Sequence, residues 1–253
     1  MPYVLTKGLI KKGDIITMHV TGSGILTDHK GRVFLQQSGE TTLAPVHRPL
    51  EPGNLPTHTL DHAFREETGL IVLPVRLTGL YYDGSRADGE LNLCFRCTMR
   101  GGDLKVPAGG QPAGFFDWPL LSGGLSPKYS RMVDDAIHHA GGPPNLVETG
   151  SGLSAKLGRL FGRQPMESDA ESWTVSVRLT DGASGDMVEW VVTKPNEGQP
   201  DPTAPVDPAQ PPWETAVRLL AQGHSVSGQS AVRLVGVEIA SERPALTLLF
   251  VSA

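Results

Sequence analysis

Glu66 and Glu67 stand side by side in the run Phe64-Arg65-Glu66-Glu67-Thr68-Gly69-Leu70, the most informative local signal in the chain. Just upstream, His58, His62 and Glu66 fall at i, i+4 and i+8, so two imidazoles and a carboxylate share one face of a helix through them. That donor set suits Zn2+ or another transition metal better than Mg2+; its plain alternative is a solvated helix face with no ligand. Cys94 and Cys97 form a Cys-x-x-Cys on paper, but inside an alternating strand pattern. Residues i and i+3 of a strand point to opposite faces, so the two read as separate buried thiols. His138 and His139 read as favourable charges near a helix C-terminus. Of Tyr81 and Tyr82, at the end of a strand, one faces inward and one is free to stack on a ligand.

The helix that must carry the glutamates is written between Pro56 and Val72. Leu60, Ala63, Phe64 and Thr68 recur at helical steps and give one apolar stripe. Gly69 ends it cheaply through a left-handed residue, and Leu70-Ile71-Val72 then begins a buried strand. Two strand-like segments come before it, Ile15 to Leu26 and Val33 to Gln37, with Gly31 placed for the turn between them. Pro45 to Pro56 is expected as a loop. Strands are expected after the helix over Val75 to Tyr82 and Leu91 to Met99, then an aromatic strand or turn at Phe115-Phe116-Asp117-Trp118 that serves as core or sheet edge. Ser126 and Pro127 cap and open a last helix reaching Ala140. The order describes a mixed α/β unit.

A second round of the same pattern follows. Trp173 to Leu179 and Met187 to Thr193 match the opening hairpin, Pro195 to Pro212 matches the proline-rich loop, and Trp213 to Gly223 matches the central helix. Val232-Arg233-Leu234-Val235-Gly236 echoes Val75-Arg76-Leu77-Thr78-Gly79, and Ala245 to Phe250 echoes Gly89 to Phe95. The spacing divides the chain into residues 1–143, a linker over 144–171 and a shorter second copy over 172–253. Within the linker, Leu153 to Phe161 reads as a short amphipathic helix with Lys156, Arg159 and Arg163 on its polar side, suited to docking between the halves.

At 253 residues the chain is long enough to bury a real core, and 39% hydrophobic with 19% charged residues is a globular balance. Thirty glycines and twenty-one prolines make it loop-rich. A net charge of −5 leaves no basic face able to neutralise many phosphates, which argues against a nucleic-acid polymer as partner but not against a small anionic ligand. No apolar run approaches the ~18 residues of a membrane span. With only two cysteines and no signal-peptide pattern, the expected place is the cytoplasm.

The run around the glutamates resembles the box of the Nudix hydrolase superfamily, Gly-x5-Glu-x7-Arg-Glu-U-x-Glu-Glu-x-Gly-U, with U a bulky apolar residue. Phe64 to Leu70 fits the whole tail of that pattern, and Leu50-Glu51-Pro52-Gly53 resembles its usual lead-in. The flanking strands, Gly114-Phe115-Phe116 and the Leu-Ser-Pro helix start agree as well. The resemblance covers roughly Met18 to Ala140 and, more weakly, Trp173 to Ala253. It implies a Nudix-type α/β/α sandwich with a mixed sheet, duplicated in this chain with the second copy shorter.

The same resemblance implies Mg2+ or Mn2+ held by Glu66 and Glu67, with Glu51 as a further ligand or, more plainly, an exposed loop carboxylate. The metal would then serve diphosphate hydrolysis of a nucleoside-diphosphate-linked small molecule. The departures fall on the parts that do the chemistry. Arg48 stands at the box glycine, Asn54 at the first glutamate, and His62-Ala63 at the Arg-Glu pair. In the second copy Arg218 keeps the arginine, but Leu219, Gln222 and Gly223 replace every glutamate. Two functions follow. One is a weakened hydrolase; the other is a non-catalytic tandem module that binds a nucleotide-like ligand or a protein partner. The catalytic base, the metal and the assembly state, a homodimer included, are left open by the residues.

Overall fold

The structure is a computed structural model, and it describes residues 18–38, 42–51, 53–85, 89–105, 112–121, 124–149, 172–179, 189–193, 203–207, 209–223, 232–240 and 244–252. Leu153 to Phe161, read above as an amphipathic helix, lies outside these residues.

At the centre is β1 (Met18–Leu26), buried along its whole length. Val20, Gly22 and Gly24 face α1 (Pro56–Thr68), where glycine lets the helix sit close. A methyl group at Gly24 would lie 2.5 Å from the ring of Phe64, and one at Gly22 would lie 3.2 Å from Leu50. Pro56 opens α1, its buried stripe is Leu60, Ala63, Phe64 and Thr68, and Gly69 closes it at φ 75°. The Thr68 hydroxyl donates to the Phe64 carbonyl at 2.6 Å and accepts from Leu70 N at 3.1 Å, which couples helix end to strand start.

From Gly69 the chain enters β5 (Leu70–Asp83), antiparallel to β6 (Glu90–Gly102), and β6 runs parallel to β1. On the sheet face away from α1 lies α3 (Pro127–His138), with Met132, Val133 and Ala136 against Ile25, Tyr81 and Cys94. The Ser126 hydroxyl accepts from Tyr129 N at 3.3 Å, the expected cap. Helices therefore cover both faces of a mixed sheet. β2 (Val33–Ser38) leaves β1 after one bridge, Thr27 to Val33, and joins a three-stranded sheet with β3 (Thr42–Ala44) and β7 (Ala113–Phe116). A four-residue helix, α2 (Trp118–Leu121), follows β7, and Phe115 meets Phe34 edge-on at 5.5 Å.

The stretch Pro45 to Pro56 is not all loop: Val46–Pro49 forms β4, antiparallel to β1. Pro45 and Pro49 bracket it, and proline is tolerated at the ends of an outer strand where no ladder donor is required. The expected linker also contains a strand, β8 (Asn145–Thr149), parallel to β5 from Gly79 to Asp83, so the first unit extends past Pro143-Pro144.

The second half builds the same pairings with its own strands. β9 (Ser172–Leu179) runs parallel to β13 (Ala245–Ser252), β12 (Val232–Ala240) runs antiparallel to β13, and β11 (Thr203–Pro205) lies antiparallel to β9. Helix α4 (Pro212–Gly223) puts Ala216 into the core as α1 does Ala63 and Phe64. The register agrees in detail. Leu50 N donates to Val20 O at 3.0 Å, and Val206 N to Val175 O at 2.9 Å. The ladder shifts between Leu77 and Gly79 in one half and between Leu234 and Gly236 in the other. One element departs from the expected match. Among the described residues β10 (Glu189–Thr193) does not pair with β9; it runs parallel to β12 in the place β8 holds beside β5.

β1 and β9 join the halves into one ten-stranded sheet through Met18 opposite Trp173 and His19 opposite Ser172. Met18 and Trp173 are both buried, and the main apolar core runs without a break from one half into the other.

Gly24→Ala is expected to destabilise the protein by about 1–3 kcal/mol, because Phe64 has no room to retreat. Urea unfolding of the two proteins checks this; an unchanged midpoint would mean that α1 does not sit on β1 at this distance.

Candidate functional site

The residues singled out by the glutamate run meet at the C-terminal end of α1, facing β2 and β4. Glu67 is mostly covered, with 18% of its side chain exposed, and its Oε1 lies 2.8 Å from Arg48 Nε. The Gln36 amide donates to its other oxygen, Oε2. Arg48 is delivered by the β4 register, which sets it opposite Gly22 on β1. Glu66, one residue earlier, points to solvent with 59% of its side chain exposed, and its Oε2 lies 3.4 Å from His62 Nδ1.

The other candidates do not converge on this pair. Glu51 is exposed and accepts from Asn54 Nδ2 at 2.8 Å, so the residue standing at the first box glutamate ties up the carboxylate three places before it. His58 is exposed on the helix, and among the described residues no further ligand joins the His62–Glu66 contact. Ala63, at the position of the third convergent acid, is buried in the apolar core at 2% exposure. Among the described residues no three His, Cys, Asp or Glu side chains could hold one ion.

This donor chemistry does not fit the divalent-cation site that the box implies. Mg2+ and Mn2+ ask for several hard oxygens around one point. Here one of two carboxylates is paired with a guanidinium, and the other faces away into solvent beside an imidazole. The guanidinium supplies at Glu67 the positive charge that a metal would otherwise bring. Nor do His58, His62 and Glu66 assemble as a transition-metal set.

A second polar group, not foreseen from the sequence, lies on β1, β4 and β6, on the face turned away from α1. Asn92 of β6 is fully buried, and its Nδ2 donates to Thr21 Oγ1 and to Ser23 Oγ, each at 2.9 Å. Ser23 Oγ lies 3.0 Å from His47 Nδ1, and the Asn92 amide nitrogen 3.2 Å from that same atom. Thr21 also donates to Glu90 at 3.3 Å, and Lys128 of α3 pairs with Glu90 at 2.7 Å. Tyr129 covers His47 edge-on. Burial drives the His47 imidazole down to about 4, with Lys128 and Arg48 adding to the effect and Glu90 opposing it. Burial alone would raise the Glu90 carboxyl, but Lys128, His47 and the Thr21 hydroxyl together hold the group below its ordinary value. The one available signal was the alternation of Thr21 and Ser23 with Val20 and Gly22, which marks a polar stripe on a strand too buried to be a surface.

No family model matches the chain, and no curated protein matches it. Among solved structures it is similar to a Nudix hydrolase from Nitrosomonas europaea, at 22% identity and a TM-score of 0.42 over 49% of this chain and 90% of that one. It is similar to an ADP-ribose pyrophosphatase from Streptococcus suis, at 14% identity and 0.41 over 51% of this chain and 99% of that one. A MutT protein from Bacillus halodurans matches at 16% identity and 0.44, over 48% of this chain and 83% of that one. The likeness is one of fold, and each match spans about half of this chain.

The polar group makes stability depend on acid. His47 titrates near 6.5 when unfolded and near 4 in the fold, so the unfolded chain takes up the proton first. The contribution is whole above pH 6.5 and is lost as pH falls towards 4. Between pH 6.5 and 5 it amounts to about 2 kcal/mol, and His47→Asn should remove that part of the slope. Denaturation at a series of pH values checks it; equal slopes in both proteins would refute it.

Proposed function

We propose that the protein is a non-catalytic tandem module of Nudix type, and that it binds a small nucleotide-like anion without hydrolysing it. The observation that carries this is the pairing of Arg48 with Glu67. A positive side chain stands at the box glycine and is spent on the covered one of the two remaining acidic residues. Family chemistry would draw on those two carboxylates to bring Mg2+ or Mn2+ to a diphosphate, and cleavage through two or three fewer ligands would be slower by orders of magnitude. In this reading the chain is a duplication. The correspondence of register, bulge and helix between the halves supports it, and so does a seam in which equivalent residues, Met18 and Trp173, face one another. Such self-complementary contacts are those of a two-fold dimer, here within one chain.

A second reading, weak metal-dependent hydrolysis, is favoured by one fact: Glu66 is open to solvent at the mouth of the site. It would require Arg48 to leave Glu67 when metal and diphosphate arrive.

The two readings separate in a phosphate-release screen over nucleoside diphosphate sugars, dinucleotides and nucleoside triphosphates with Mg2+ and Mn2+. Wild type is expected to show no turnover above that of a Glu66→Gln/Glu67→Gln protein. Turnover that disappears in the double variant would replace the non-catalytic reading with the hydrolytic one. Arg48→Gly, which frees Glu67, is expected to raise the affinity for Mn2+ about tenfold or more, as followed by Mn2+ electron paramagnetic resonance.

A further inference from the structure

The second half carries a buried cation whose donors are only partly used. Arg178, on β9, has 12% of its side chain exposed, and its Nη1 donates to Glu238 Oε1 of β12 at 2.8 Å. Among the described residues its Nε and Nη2, both buried, have no hydrogen-bond partner. These two N–H groups form the side fork of the guanidinium, the edge whose parallel donors match two oxygens of one oxyanion. Buried donors of a charged group are costly to leave unmade, so a bare fork calls for an acceptor.

The surroundings say which acceptor. Val175 and Val177 point into the core shared with α4, so Ser176 and Arg178 between and beside them point to the other face. Thr247 and Glu238 lie on that face by the same alternation. Ser176 Oγ and Thr247 Oγ1 lie 3.4 Å apart there. In the first half this face is covered by α3, and the position equivalent to Arg178 is Ser23; among the described residues no helix covers it in the second half. A planar carboxylate would use both of its oxygens on the fork. A phosphate group has further oxygens for the two hydroxyls. Glu238, already paired, sets a limit on charge and favours a singly charged phosphate over a doubly charged one.

We propose that Arg178, with Ser176 and Thr247, forms a phosphate-binding site in the second half, where the guanidinium side fork takes two oxygens and the hydroxyls serve a third. The site goes beyond the reading of the Arg48–Glu67 pair and shares no residue with it, so either can fail alone.

The test uses the full chain, with inorganic phosphate and ADP as probes, followed by calorimetric titration and by the shift in melting temperature. Acetate and chloride at matched ionic strength are the controls. Phosphate is expected to bind saturably and raise the melting temperature where the controls do not, and Arg178→Met is expected to abolish this. Glu238→Gln should tighten binding, and Ser176→Ala/Thr247→Val should weaken it severalfold. These two variants keep the test decisive if Arg178→Met does not fold. Tighter ADP binding with the same dependence on Arg178 would identify a nucleotide phosphate as the source; equal binding of both probes would identify free phosphate. Equal effects of phosphate and chloride, or a saturable shift that survives all three variants, would overturn the site.

Discussion

β1 must be paired on both edges and covered on both faces, and the rest of the structure follows from meeting those four demands. A strand buried along its length has no water to satisfy its amides, so every N–H and C=O needs a partner within the sheet. β6 takes one edge in parallel, and β4 takes part of the other. What remains of that edge, at Met18 and His19, is taken by β9. An open edge in the middle of an apolar core would invite pairing with another chain, and the second half closes it from within. The large side chain of Trp173 beside Met18 makes the seam apolar as well as hydrogen-bonded.

At the end of α1 the outcome is set by charge. A carboxylate next to a bidentate-capable guanidinium in a partly covered place is stabilised without a metal, at the loss of its use as a metal ligand. Gln36 adds a neutral donor to the other oxygen. Glu67 is thereby a structural tie between α1, β2 and β4. The covered state of Ala63 points the same way: where a third acid would converge, the helix contributes a methyl group to the core.

Much of this could be read from residue order, and the exceptions have physical causes. The stripe Leu60, Ala63, Phe64, Thr68 and the stop at Gly69 were legible because local periodicity and a left-handed glycine leave few alternatives. So was the separation of Cys94 from Cys97, which fall in different apolar clusters on opposite faces. The echo of Val75 to Gly79 in Val232 to Gly236 was legible too, and the structure places a ladder shift inside each copy of it. Short outer strands were not legible. β4 and β8 are four and five residues long, lie among prolines, and exist because a longer strand offers them an edge. β10 differs for a related reason: nearness in sequence suggests a hairpin with β9, whereas the strand pairs in parallel with β12. At the candidate site the sequence showed which acids were missing, but the role of Arg48 needed the β4 register to bring it to Glu67. The buried group around Asn92 and the bare fork of Arg178 depend on contacts between residues far apart in the chain, which no local pattern encodes.

The two thiols give the molecule a built-in clock. Both are buried, one under each helix layer, and burial pushes the Cys94 thiol up to about 12 and raises Cys97 further. Neither reacts as thiolate while the layers are closed. Alkylation therefore proceeds only through opening events, and the order in which the sulfurs are modified tells which helix lifts first.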